Sequence, residues 1–152
     1  LGKFLSPTEN AQLCYSGMPG QKVNGGKKIS KLLFELGYGN HPASTGEGEI
    51  LRIYYFNLAI TLDDESEVLR ASGECSDRDN RAWCGVECDG GGFYFDLKPD
   101  VSAIVRAFDP SDPKLRMTSN CENEDAQELE LGAHGRGIKL EKVEASICEA
   151  VQ

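Results

Sequence analysis

From Ile50 onward the chain alternates. Ile50, Tyr54, Phe56, Leu58, Ile60 and Leu62 fall on one side of an extended backbone, with Arg52 the exception. Leu51, Ile53, Tyr55, Asn57, Ala59 and Thr61 fall on the other. A period of two, rich in β-branched and aromatic residues, predicts a strand rather than a helix. At 13 residues it is long for one strand, which implies a bend or a bulge. Asp63 to Ser66 makes a polar turn, and Val68 to Cys75 returns as the second strand of a hairpin. Ser76 to Arg81 reads as a charged loop and Ala82 to Leu97 as the next long strand, in which Phe93, Phe95 and Leu97 alternate with Tyr94, Asp96 and Lys98. Gly90-Gly91-Gly92 lies inside that run, where glycine marks a bulge, a sharp bend or a close backbone approach. Glu128 to Ala133 and Ile138 to Val143 alternate cleanly and predict a last hairpin around His134-Gly135-Arg136-Gly137.

Two stretches fit more than one period. Ile29 to Leu36 suits a short helix or a first strand, ended by Gly37, Gly39 and His41-Pro42, because the residue before proline is pushed out of helical geometry. Val101 to Phe108 carries a helical stripe, yet its β-rich setting favours a strand. Residues 1–28, rich in Gly, Pro, Asn, Ser and Lys, read as an irregular segment packed over a β domain of residues 29–148, the whole chain forming one domain. Seven or eight strands joined by short polar turns, without a strand–helix–strand rhythm, predict an all-β antiparallel fold. A single barrel of calycin-like shape is favoured over a β-sandwich, since successive hairpins need no crossover and closure removes the sheet edges.

Six cysteines change the picture from a merely packed domain to a stapled one. An even count predicts disulfides among Cys14, Cys75, Cys84, Cys88, Cys121 and Cys148, hence an oxidising compartment. Cys84 and Cys88, four apart on one extended strand, would stand about 13 Å from each other at ~3.3 Å per residue. A bridge needs Cα atoms within about 7 Å, so these two do not pair unless the strand breaks. Cys75 with Cys84 would close a loop that suits a hairpin, leaving Cys88 to reach Cys14, Cys121 or Cys148. A redox role for C-x3-C would need a helix N-terminus to lower a thiol pKa, and the pattern offers none. The chain opens at Leu1 without a charged or apolar leader, and the expectation is that a signal peptide was removed, for the periplasm or the outside of a cell.

The net charge of −9 is uneven: residues 1–35 sum to +3 and the remainder to −12. That field disfavours nucleic acid and anionic membranes and favours a basic partner. No apolar run is long enough to span a bilayer as a helix, so membrane insertion is not expected. Asp77-Arg78-Asp79-Asn80 has a calcium-loop flavour, but Ala82 stands where the loop needs glycine and Cys88 where it needs glutamate. With zinc spacing also missing, neither metal nor cofactor is expected. The two histidines, His41 before a proline and His134 between glycines, belong to no nucleophile motif, which leans the reading away from an enzyme.

Arg52, Tyr54, Phe56, Trp83, Phe93, Phe95 and Arg106 form the one set suited to line an apolar cavity with polar handles. The segment C-G-V-E-C-D-G-G-G-F at 84–93, with A-H-G-R-G-I-K-L-E-K-V at 133–143, resembles secreted bacterial β proteins without an assigned activity. The likeness covers about residues 73–143 and implies an all-β fold and export, with no catalytic residue to carry over. Two functions are therefore expected. One is an exported, non-enzymatic interaction or structural module that binds a basic protein; the alternative is a barrel that binds a small apolar ligand among its aromatics.

Overall fold

The computed structural model describes residues 11–18, 20–23, 27–42, 50–63, 68–78, 81–86, 91–97, 102–107, 114–117, 127–130 and 137–151. In chain order its strands are β1 (Ala11–Gly17), β2 (Lys22–Val23), β3 (Lys27–Pro42), β4 (Ile50–Leu62), β5 (Val68–Arg78), β6 (Arg81–Val86), β7 (Gly92–Leu97), β8 (Ser102–Ala107), β9 (Lys114–Met117), β10 (Gln127–Glu130) and β11 (Ile138–Val143). A 3₁₀ helix, Ala145–Val151, follows. From β3 to β8 each strand pairs antiparallel with the next, β8 pairs β11, and β11 pairs β1. Because β1 also pairs β3, the ladder returns on itself, and eight strands close an antiparallel barrel wall. The fold is all-β, as the alternation predicts.

The inward side carries the core. Leu32, Phe34 and Leu36 of β3 alternate into it, as do Phe56, Leu58, Ile60 and Leu62 of β4. Ala82, Cys84 and Val86 of β6, Phe93 and Phe95 of β7, and Ile138 and Leu140 of β11 complete the same cluster. Each large apolar side chain fully buried there contributes about 1.5–3 kcal/mol. The bulge expected of the long β4 lies instead on its neighbour. The β3–β4 register shifts between Ile29 and Lys31, and the Ser30 hydroxyl donates to the Thr61 carbonyl at 3.0 Å.

Several expectations are corrected. Residues 11–17 and 22–23 are strand, not irregular cover, and β1 is the strand that closes the wall. Its Leu13 and Tyr15 supply the inward alternation that the surrounding polar composition hides. β3 is a strand throughout and runs on to Pro42, because the backbone of a residue before proline is restricted to extended geometry, which a strand accepts. Gly37 does not end β3: the Tyr55 ring lies on it, and a Cβ there would fall 2.5 Å from the phenol oxygen. The charged loop shrinks as well, since β5 extends to Arg78, which pairs with Arg81 at the start of β6. The run over Ala82–Leu97 is two strands. Gly91, at φ 93°, takes the left-handed conformation that side chains rarely adopt, its carbonyl accepts from the Val86 N–H at 2.9 Å, and Gly85 faces Gly92. The last hairpin is not formed either. β10 pairs β9 in a separate two-stranded sheet, while β11 goes to β8 and β1. Alternation sets which face is buried, not which strand is the partner.

Among the described residues there are two disulfides. Cys75–Cys84 joins directly opposite residues of β5 and β6 inside the barrel, with Cα atoms 4.1 Å apart. Cys14–Cys148 ties β1 to the 3₁₀ helix on the outside, packed with Leu33 and flanked by Ala59 and Val143. Cys84 pairs with Cys75 and so not with Cys88; because β6 ends at Val86, this pairing, and not the span of one extended strand, excludes the bond. Cys88, Cys121 and His134 lie outside the described residues.

Candidate functional site at the barrel mouth and outer wall

The interior is filled by rings. Phe34 stacks on Phe56 with centroids 5.8 Å apart, Phe56 meets Phe93 edge-on at 5.2 Å, and Phe34 meets Phe95 at 4.6 Å. Tyr15 adds an edge contact to Phe95 at 5.3 Å. Of the seven residues proposed to line a cavity, Phe56, Phe93 and Phe95 therefore come together around Phe34, each fully buried. Such packed pairs add about 0.5–1.5 kcal/mol beyond the area they bury. Burial pushes the Tyr15 phenol up to about 12.

Tyr54 stands at the rim. It is half-buried, packs on the core from its edge, and meets Tyr38 with ring centroids 4.7 Å apart at 56°. Tyr38, Tyr54, Cys75 and Cys84 are register neighbours across β3, β4, β5 and β6. Asp77, exposed and two residues beyond Cys75 on the same side of β5, completes the group. The Tyr54 phenol is held above the usual tyrosine range by burial first, then by Tyr38 and by the Asp77 charge.

Trp83 is not in the interior. It belongs to the outward row of β6, over two glycines. A Cβ at Gly85 would fall 2.7 Å from its ring, and one at Gly92 would fall 3.1 Å from the indole nitrogen. Beside it Tyr94, its register partner, lies under the Arg81 guanidinium at 4.2 Å, and Arg81 donates to Asp96 Oδ1 from Nη2 at 3.2 Å and Nε at 3.3 Å. This partly exposed set is worth about 1 kcal/mol or less per contact. Arg52 and Arg106 are described at the backbone only, opposite Asn40 and Tyr94.

Tyr38 and Asp77 are the mouth residues that sequence reasoning missed. Tyr38 continues the series Phe34, Leu36, and becomes visible once β3 is carried past Gly37. Asp77 falls in the charged loop that Ser76 to Arg81 predicts, but β5 extends to Arg78.

At the opposite end a surface groove of about 400 Å³ is lined by Gly17, Met18, Lys28, Lys31 and Asp63, among others. On the outer wall Glu35 is buried beside the Cys14–Cys148 cluster and accepts from Asn57 Nδ2 at 2.9 Å. Among the described residues no group of three or more His, Cys, Asp or Glu is placed to hold a metal ion, and no helix is long and apolar enough to cross a membrane. The two disulfides fit an oxidising setting. Comparison with protein-family models, curated proteins and solved structures returned no match.

Proposed function

We propose that the protein is an exported, non-enzymatic binding module of the periplasm or the cell exterior, and that its partner is a basic protein. The observation that carries this is the filled interior. Phe34, Phe56, Phe93 and Phe95 occupy the space that a carrier would give to its ligand, which leaves recognition to the mouth and the outer wall. The sum of −12 beyond residue 35 then selects for positive charge and speeds encounter with it. The polarity of the wall agrees with an approach from water. Arg70, Glu74 and Arg81 face outward and the apolar rows face inward, the reverse of a lipid-embedded barrel.

The test is calorimetric titration with a lysine-rich decapeptide at about 50 mM and about 300 mM salt, where the Debye length falls from roughly 14 Å to 6 Å. Saturable binding that weakens at least several-fold at the higher salt is expected. Binding indifferent to salt, or none at either concentration, would sink the proposal. An apolar molecule recovered with the purified protein would instead favour the carrier.

A further inference from the structure

We propose that the groove at the end of the barrel opposite Tyr38 and Tyr54 binds a small amphiphilic monoanion, an alkyl carboxylate. Lys28 and Lys31 receive its head, and Met18, Ile29 and Leu32 receive its stem. The proposal goes beyond the binding-module reading and does not depend on it, since it concerns a basic patch on an acidic chain.

The groove exists because the wall parts there. β1 pairs with β3 as far as Ser16 opposite Leu33 and then leaves it, and β2 joins β3 only at Lys22 opposite Lys28. In between, the register of β3 against β4 slips between Ile29 and Lys31. The result is an opening of about 400 Å³, within the range of small-ligand sites, whose lining includes Met18, Lys28, Ile29, Lys31, Leu32 and Asp63. Its edges are tied. Gln21 Nε2 donates to the Met18 carbonyl at 2.9 Å and to the Lys139 carbonyl at 2.7 Å. The Ile29 N–H donates to the Gln21 carbonyl and the Asp63 N–H to the Lys28 carbonyl, each at 3.0 Å. The Gly17 backbone approaches so closely that a Cβ there would fall 2.9 Å from the Leu32 Cβ. A groove held open before its guest arrives lowers the ordering cost of binding.

Charge sets the sign of the guest. Residues 21–31 hold Lys22, Lys27, Lys28 and Lys31 and no acid, in a chain of net charge −9. Lys22 and Lys28 are exposed and directly opposite across β2 and β3, and like charges so placed repel. Among the described residues neither Lys28 nor Lys31 has an ion-pair partner. Asp63 is exposed and pairs with neither, so two ammoniums and one carboxylate leave the lining at +1. A monoanion neutralises that sum, whereas a dianion overshoots it and a cation meets two ammoniums. Lysine is a compact point charge and asks no bidentate geometry of the head.

Apolar surface lies beside these charges. Met18 is 42% exposed, next to half-buried Ile29 and buried Leu32. An inorganic ion would leave that surface wet, and an alkyl stem would cover it. The unbranched thioether of Met18 adapts to a stem of irregular shape.

The experiment labels the methionine methyl groups of the full chain and titrates it by NMR with octanoate, octan-1-ol and acetate in parallel, at low salt. The Met18 signal, assigned through Met18→Leu, is expected to move with octanoate, with a Kd on the order of 1 mM for so small a ligand. Octan-1-ol lacks the charge and acetate lacks the stem, and each should bind at least about fivefold more weakly. Lys28→Gln and Lys31→Gln should each weaken octanoate about two- to fivefold, and Asp63→Asn should strengthen it by about the same factor. All three side chains are exposed, so these variants keep the fold. Equal binding of octan-1-ol, or octanoate binding unchanged when Lys28→Gln and Lys31→Gln are combined, would overturn the head site. Equal binding of acetate would overturn the stem. No movement of Met18 with octanoate would overturn the ligand class, and binding of a peptide with a C-terminal leucine carboxylate in that case would assign the groove to a chain terminus instead. The decapeptide titration reads the acidic surface, so its failure and the failure of this site are separate results.

Discussion

The two sides of the barrel wall are held by different means. Inside, Cys75–Cys84 joins opposite residues of one hairpin, nine apart in sequence, in a core already packed with phenylalanine rings. Outside, Cys14–Cys148 spans 134 residues and fastens the 3₁₀ helix over β1. Hairpins such as β4–β5 pair strands that are neighbours in sequence. The seam at β11 is not local. It pairs Leu140–Val143 with Cys14–Gly17 on one side and Ile138–Glu141 with Ser102–Val105 on the other, so the ends of the chain must meet before the wall can close. The covalent tie that restricts the unfolded chain most therefore sits where closure is least local.

Breaking each bridge in turn is the strongest test of that contrast. In the chain-entropy account a loop of about 135 residues is worth roughly 5 kcal/mol and one of about 10 residues roughly 2.7 kcal/mol. Cys14→Ala with Cys148→Ala should therefore lower stability about twice as much as Cys75→Ala with Cys84→Ala, read from urea midpoints. Hydrogen exchange should locate the first loss in β1, β11 and the 3₁₀ helix, and the second in β5 and β6. Equal losses, or a larger loss from the inner pair, would mean that the seam is held by packing rather than by its tie.

The glycines sharpen the same comparison at smaller scale. A Cβ on Gly73, on the inner side, would collide with the Gly85 carbonyl oxygen and press to 3.0 Å from the Phe56 ring. Backbone cannot swing aside, so Gly73→Ala should cost about 2–3 kcal/mol, the upper part of the overpacking range. A Cβ on Gly85 would meet only the far edge of the Trp83 indole, on the outer wall. The indole can rotate, and Gly85→Ala should cost about 1 kcal/mol or less while changing tryptophan fluorescence. A rigid, costly outer wall would show itself as two equal losses.

What the sequence made legible follows the same division. The inner face was readable: the period of two across Ile50–Leu62 predicted β4 and its buried row from Phe56 to Leu62, and a hairpin joining Cys75 to Cys84 was among the pairings it allowed. Closure was not. Nothing local in Ala11–Gly17 marks it as the partner of Ile138–Val143, because its inward residues Leu13 and Tyr15 are isolated among polar neighbours. The aromatic set was half legible for a related reason. Periodicity assigns Phe93 and Phe95 to one face, but a single strand over residues 82–97 puts Trp83 on that face too; the conformation of Gly91 shows the two runs to be separate. Tyr38 and Asp77 were hidden because Gly37 and the charges around residue 77 look like chain breaks, although both lie within strands.

The smallest expected effect concerns Tyr15, the inner-face residue of the closing strand, whose side chain is buried against Phe95 and Phe34. Its phenol is pushed up to about 12 by burial, against an ordinary value near 10 in the unfolded chain. Below pH 10 both states hold the proton and the residue adds no pH dependence. Between about 10 and 12 the unfolded chain releases it while the folded one keeps it, so stability falls as pH rises, by about 1.4 kcal/mol at pH 11. Tyr15→Phe keeps the ring and removes the proton. Comparing urea midpoints at pH 9 and pH 11, the wild type should lose that increment and Tyr15→Phe should lose less. The slope of the variant should shrink without vanishing, since Tyr54 is shifted in the same direction. If the two proteins lose stability in parallel, Tyr15 ionises freely in the folded state, and the inner face of β1 is open to water at the seam that the outer bridge is meant to close.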